Sequence, residues 1–203
     1  MKRFVLAFLS VCCALTLAAQ ETIPVSYTGE KPSISDFAWA FVSAIDDDEE
    51  VDVDESANAF KQAWIRYRQG AAQQDGVTLT VDQRNGFVLY ESVDEEHLLR
   101  IEMCYWNESD QKHKMVAYCV SSFFDGKYSP GQYDGIRFFR YDNAAKAMEP
   151  CYEPGFDVEY GTDDGAWISY ALPRSGKDIT VTSWYDDKTT QRILKWNGHG
   201  FSF

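Results

Sequence analysis

The sequence predicts an α+β protein, with two short N-terminal helices packed on a curved antiparallel sheet of about seven to nine strands. Three observations carry this. Apolar residues recur at helical spacing between residues 33 and 70, they alternate at a period of two from residue 76 onward, and the strand-like runs follow one another without helices between them. Strands joined by short turns pair with their neighbours, which makes the sheet antiparallel.

The chain begins with a positive pair, Lys2 and Arg3, then a nearly unbroken apolar run from Phe4 to Leu17, then Ala18 and Ala19. That order is the pattern of a secretory signal peptide, with cleavage expected after Ala19 and Gln20 as the new terminus. The run is shorter than the roughly 18 to 20 residues of a membrane span, and no transmembrane segment is expected downstream. A lipoprotein leader acylated at Cys12 or Cys13 is the rival reading, disfavoured because Val11 precedes Cys12 where a small residue is usual. The mature protein is therefore expected to be secreted or periplasmic, as one α+β domain over 20–203 with a helical part at about 33–70 and a β-rich part at about 76–203.

Loss of Lys2 and Arg3 with the leader takes the formal net charge from −13 to −15. An acidic surface of this kind repels phosphate backbones, so nucleic acid is not an expected partner. Three cysteines remain, Cys104, Cys119 and Cys151. Cys104 and Cys119 flank the polar turn 107–112 on neighbouring strands, so a Cys104–Cys119 bridge is expected in an oxidising compartment, with Cys151 as the free thiol.

In the helical part, Ser33 and Ser35 offer caps, and Phe37, Phe41, Ala44 and Ile45 share one face. The helix is expected to stop near Ile45, because Asp46 to Glu50 are consecutive acids that oppose the negative end of a helix dipole. Ser56 caps a second helix carrying Phe60, Ala63, Trp64 and Tyr67, and Gly70 is its stop. In the β-rich part Val77, Leu79 and Val81 alternate before the turn at Asn85-Gly86. Leu99, Ile101, Met103 and Tyr105 alternate next, then Val116, Tyr118 and Val120, Ile136 and Phe138, Ile168 and Tyr170, and Ile179 and Val181. A last hairpin turns at Asn197-Gly198. The Gly86–Tyr90 and Ile101–Tyr105 pair of runs is echoed by Gly165–Tyr170 and Val181–Tyr185, which reads as two similar hairpins in one sheet.

The segment from Val81 to Tyr141, through Asp82, Asn85-Gly86-Phe87, Met103-Cys104-Tyr105-Trp106-Asn107 and Phe138 to Asn143, resembles secreted proteins of gut Bacteroidetes. The resemblance implies an exported bacterial protein and brings no catalytic residues.

Common enzyme machinery is absent from the sequence. There is no G-x-S-x-G elbow, no H-E-x-x-H pair, no phosphate-binding glycine loop and no dinucleotide fingerprint. His97, His113 and His199 fall beside polar turns, where solvated side chains are usual. The acidic run offers Asp48, Glu50, Asp52 and Asp54 as carboxylates for weak calcium binding, without the turn glycine or closing glutamate of an EF-hand, so a solvated linker is the simpler reading. No other cofactor is expected. Aromatics make up 15% of the chain, and alternation in the 99–106 strand puts Arg100, Glu102, Cys104 and Trp106 opposite the core face. Trp106, Trp167 and Trp184 are therefore the candidate ligand-binding residues, on a sheet face that meets a protein or a glycan. The function expected is a non-catalytic exported binding module. The alternatives are an extracellular polymer hydrolase with paired carboxylates and a carrier of a small apolar ligand.

Overall fold

The helices form where the apolar spacing put them. A computed structural model describes residues 22–45, 55–163, 165–185 and 188–203; the leader and the carboxylates Asp48, Glu50, Asp52 and Asp54 lie outside the described residues. Helix α1 is Ile34–Ser43, and the backbone N–H and hydroxyl of Ser33 both donate to Asp36 Oδ2 at 2.7 Å, closing its first turn. Helix α2 is Glu55–Arg68, with Ala57, Phe60, Ala63 and Trp64 buried. Gly70, at φ 66°, ends it in the left-handed region while Ala71 N–H donates to Arg66 O at 2.9 Å. No helix among the described residues is long and apolar enough to cross a membrane.

The strands are β1 (Ile23–Pro24), β2 (Val77–Asp82), β3 (Phe87–Asp94), β4 (His97–Asn107), β5 (His113–Phe124), β6 (Lys127–Tyr128), β7 (Gly135–Asp142), β8 (Ala147–Pro150), β9 (Trp167–Ala171), β10 (Ile179–Tyr185), β11 (Lys188–Trp196) and β12 (Phe201–Ser202). Among the described residues they make two antiparallel sheets. The large one has eight strands, in the order β1-β8-β7-β5-β4-β3-β2 with β6 on β5, and the small one runs β12-β11-β10-β9. The molecule is thus β-rich and antiparallel with two helices, as the periodicity predicts. The turn at Asn85-Gly86 also forms, with Asp82 opposite Phe87 and Gly86 at φ 64°.

The second sheet is the departure, and it changes the meaning of both faces of the first. The helices cover one face, where Val88, Tyr90, Ile101, Met103, Val116, Tyr118, Val120, Phe139 and Tyr141 pack with Phe37, Phe41, Phe60 and Trp64. The other face, expected to be exposed, carries Phe87, Cys104, Trp106, Met115, Ala117, Cys119, Ile136 and Phe138 against Ile168, Tyr170, Ile179, Val181, Leu194 and Phe201 of the small sheet. The two echoed hairpins are accordingly in different sheets, β3–β4 in the large and β9–β10 in the small. A sheet buried on both faces needs apolar residues at successive positions. The central strand β5 supplies them, since every residue from Lys114 to Ser121 is buried.

Candidate binding groove

Of the three tryptophans singled out by the sequence, one is buried, one half-buried and one exposed. Trp106 is only 4% exposed, which corrects its placement on an open face. It sits between the sheets, stacked on Trp196 at 5.9 Å and edge-on to Phe201 at 5.0 Å, and its indole N–H donates to Lys177 O at 2.8 Å. Trp184 is half-buried against Phe123 and Tyr128, with its N–H donated to Ser169 Oγ at 2.7 Å. Trp167 lies directly opposite Trp184 in the β9–β10 register and is 54% exposed.

The cysteine geometry also differs from expectation. Register places Cys104 opposite Ala117 and Cys119 opposite Glu102, so the two are diagonal neighbours on one face. Diagonal Cα atoms lie about 7–8 Å apart, beyond the span of a disulfide. Both are buried free thiols, and Cys119 Sγ–H donates to Tyr170 O at 3.3 Å instead. Cys151 is also free and half-buried.

Trp167 marks one end of a groove. The turn before β7 and the segment before β9 enclose a cavity of about 440 Å³ lined by Tyr128, Tyr133, Asp134, Arg137, Tyr160 and Trp167. A second cavity of about 570 Å³ shares Ile136, Arg137 and Tyr160 with the first and continues past Phe138, Cys151, Tyr152 and Val158. Tyr160 and Tyr152 are 57% and 78% exposed. Gly135 fixes the Tyr160 ring: its φ is 136°, and a Cβ there would fall 2.5 Å from Tyr160 Cε1. The phenol ring therefore lies against bare backbone, and only glycine permits that approach.

Asp134 is the groove's half-buried acid. Its carboxylate accepts the Ser122 N–H at 2.5 Å and the Ser122 hydroxyl at 2.8 Å. Burial pushes the carboxyl above the usual aspartate value even so, the Ser122 bonds opposing it. Burial likewise raises the Tyr128 phenol, and the neighbouring Asp134 charge adds to the shift.

Glu102, on β4 beneath the small sheet, accepts Leu172 N–H at 2.8 Å. Burial raises its carboxyl above the ordinary glutamate value. Between those two values the folded protein holds a proton that the unfolded chain releases, so stability falls as pH rises through the window. Glu102→Gln keeps the acceptor and removes the ionisation. It is expected to melt higher than the parent at pH 8 and within a degree or two of it at pH 4; a melting temperature at pH 8 equal to or below the parent's contradicts this.

Among the described residues, Glu108, Asp110 and His113 place their ligand atoms within 4.8 Å of one another, a spacing a metal could use. A cation already occupies the place. Arg140 donates to both Glu108 oxygens, at 2.8 and 2.7 Å, and its guanidinium lies 3.8 Å from Asp110. His113 Nδ1 is 2.5 Å from Asp110 Oδ2, and that bond holds the Asp110 carboxyl well below the usual carboxylate range. The cluster is a closed ion-pair network joining the β4–β5 turn to β7.

No protein-family model, curated protein or solved structure matches the chain. The groove must be read from its own residues. Sequence periodicity found Trp167 but missed Asp134, Tyr152 and Tyr160, which lie on turns and loops where no period applies, and Arg137, an exposed polar position of β7. The one local signal for them was glycine and proline punctuation, at Pro130-Gly131, Gly135, Pro150, Pro154 and Gly161.

Proposed function

We propose that this chain is an exported, non-catalytic binding domain that takes its ligand in the groove between Trp167 and Tyr152. The observation that carries the reading is the convergence of three exposed aromatics, Tyr152, Tyr160 and Trp167, on two joined cavities along β7. Aromatic side chains held half-exposed beside a concavity lose little entropy on binding and supply large contact area. Export is supported by the Lys2-Arg3 pair and the apolar run that follows it. The hydrolase alternative gains less from the same geometry: the two acids lining the groove, Asp134 and Asp157, belong to different cavities, and Ser122 already engages both Asp134 oxygens.

The test is to screen the mature protein against immobilised linear peptides and oligosaccharides and to measure the affinity of the best ligand by calorimetry. Tyr160→Ala is expected to weaken that affinity about ten-fold or more, in the range of an aromatic hot spot, with the melting temperature within about 2 °C of the parent's. An affinity unchanged by Tyr160→Ala removes the groove as the site.

A further inference from the structure

We propose that two copies of this chain associate edge to edge through β2, joining their large sheets across a two-fold axis at Leu79. The large sheet ends at β2, whose ladder is with β3. The bond from Val93 N–H to Gly76 O, at 2.9 Å, sets the phase of that ladder. Gly76 faces β3, and at a period of two so do Thr78, Thr80 and Asp82. The N–H and C=O groups of Val77, Leu79 and Val81 therefore point away from the sheet. Gln74 O takes the Val77 N–H at 3.0 Å; the Val77 C=O and both groups of Leu79 and Val81 have no partner among the described residues. The edge is within reach of solvent, since Thr78 is exposed and Val77, Leu79, Thr80 and Val81 are only half-buried. The side chains of Val77, Leu79 and Val81 pack against the helix-side core and hold the strand in place.

An unpaired edge is a template for another strand, and proteins blunt such edges with brevity, proline, charge or cover. The other sheet ends are blunted in these ways. Strands β1 and β12 have two residues each, and β1 contains Pro24. Strand β9 is bridged to Gly161, and its Ile168 N–H donates to Tyr160 O at 3.1 Å. Strand β11, where it runs past β12, carries Lys188 and Arg192. From Val77 to Val81 there is no charge, proline or glycine, and four of the five residues are β-branched, the type that sheets favour.

The sequence of the edge specifies the occupant. Val77-Thr78-Leu79-Thr80-Val81 reads the same in both directions. Antiparallel pairing about Leu79 sets Leu79 on Leu79, Thr78 on Thr80 and Val77 on Val81, so every residue meets its own kind. The outward phase agrees with this register. The two Leu79 residues meet as a hydrogen-bonded pair, and each Val81 N–H reaches the Val77 C=O of the other copy. Thr78 and Thr80 then form the non-hydrogen-bonded pairs, where side chains lie closest and threonines stabilise one another. The same patch on both copies closes the assembly at two. The formal net charge of −13 opposes it, so the dimer is expected to be weak at low salt and to tighten as salt screens the repulsion.

The experiment is sedimentation velocity of the protein from micromolar to submillimolar concentration, at low and high salt, with NMR on the same samples. The expected result is a reversible dimer whose dissociation constant falls about three-fold or more with added salt. The Leu79 and Val81 amides should exchange about ten-fold more slowly in it than in the monomer. In a mixture of labelled and unlabelled chains, an isotope-filtered contact between the Thr78 and Thr80 Hα protons reports the register, because within one strand the two are too far apart. Val81→Pro removes an N–H with no partner inside the chain; it is expected to sediment as a monomer with a melting temperature within a few degrees of the parent's. A chain that is monomeric throughout overturns the proposal. So does a dimer whose Leu79 and Val81 amides exchange at the monomer's rate, or one without the Thr78–Thr80 contact. Association that weakens with salt overturns it too, since opposite charges would then hold the copies and this edge has none. Should Val81→Pro fail to fold, the exchange rates and the Hα contact in the parent chain decide.

Discussion

Trp106→Ala is expected to destabilise the protein by about 3–5 kcal/mol, the range for emptying a buried Trp site. In a chain of this size that lowers the melting temperature by roughly 10 to 15 °C. The indole fills the layer between the sheets against Trp196 and Phe201, and its N–H satisfies Lys177 O, so alanine leaves both a void and an unpaired carbonyl. Thermal and urea unfolding check this together. A variant as stable as the parent but unable to bind would return Trp106 to the exposed role that alternation along β4 assigned to it.

Trp167→Ala is expected to do the opposite. Affinity for any groove ligand should fall ten- to one hundred-fold, which is about 1.4 to 2.7 kcal/mol, while stability changes by no more than about 1 kcal/mol. The indole is more than half exposed, and its strand position is held by backbone pairing with Trp184 and Gly161, which alanine retains. Calorimetric titration beside a thermal melt separates the two effects. A Trp167→Ala protein that binds normally contradicts the assignment, and one that unfolds shows a core role that its exposure does not indicate.

The contrast between these two tryptophans shows what was legible in the sequence. Both lie on strands with clean alternation, and alternation sorts a strand into two faces without saying how many of them are buried. The strand that answered the question was β5, where Met115 to Val120 is apolar at every position. An unbroken apolar strand in an antiparallel sheet signals cover on both sides, and that cover is the small sheet. The helices, the Asn85-Gly86 turn and the Gly70 stop were legible because each is decided within a few residues by spacing, capping or a positive φ. The cysteine pairing depended on register, where an offset of two residues in β4–β5 separates Cys104 from Cys119. The groove was least legible. Asp134, Tyr152, Tyr160 and Trp167 come together only because β8 stops at Pro150 and the chain then crosses beneath β7 to begin the second sheet.

The most direct test of the groove is an NMR titration of the protein, with its tryptophan indole N–H resonances assigned, against the best ligand from the peptide and oligosaccharide screen. The Trp167 resonance is predicted to move to saturation with the binding isotherm, while Trp106, closed between the sheets, stays within line width. Shifts confined to the helix-side residues Trp39 and Trp64, with Trp167 unmoved at saturation, would contradict the account.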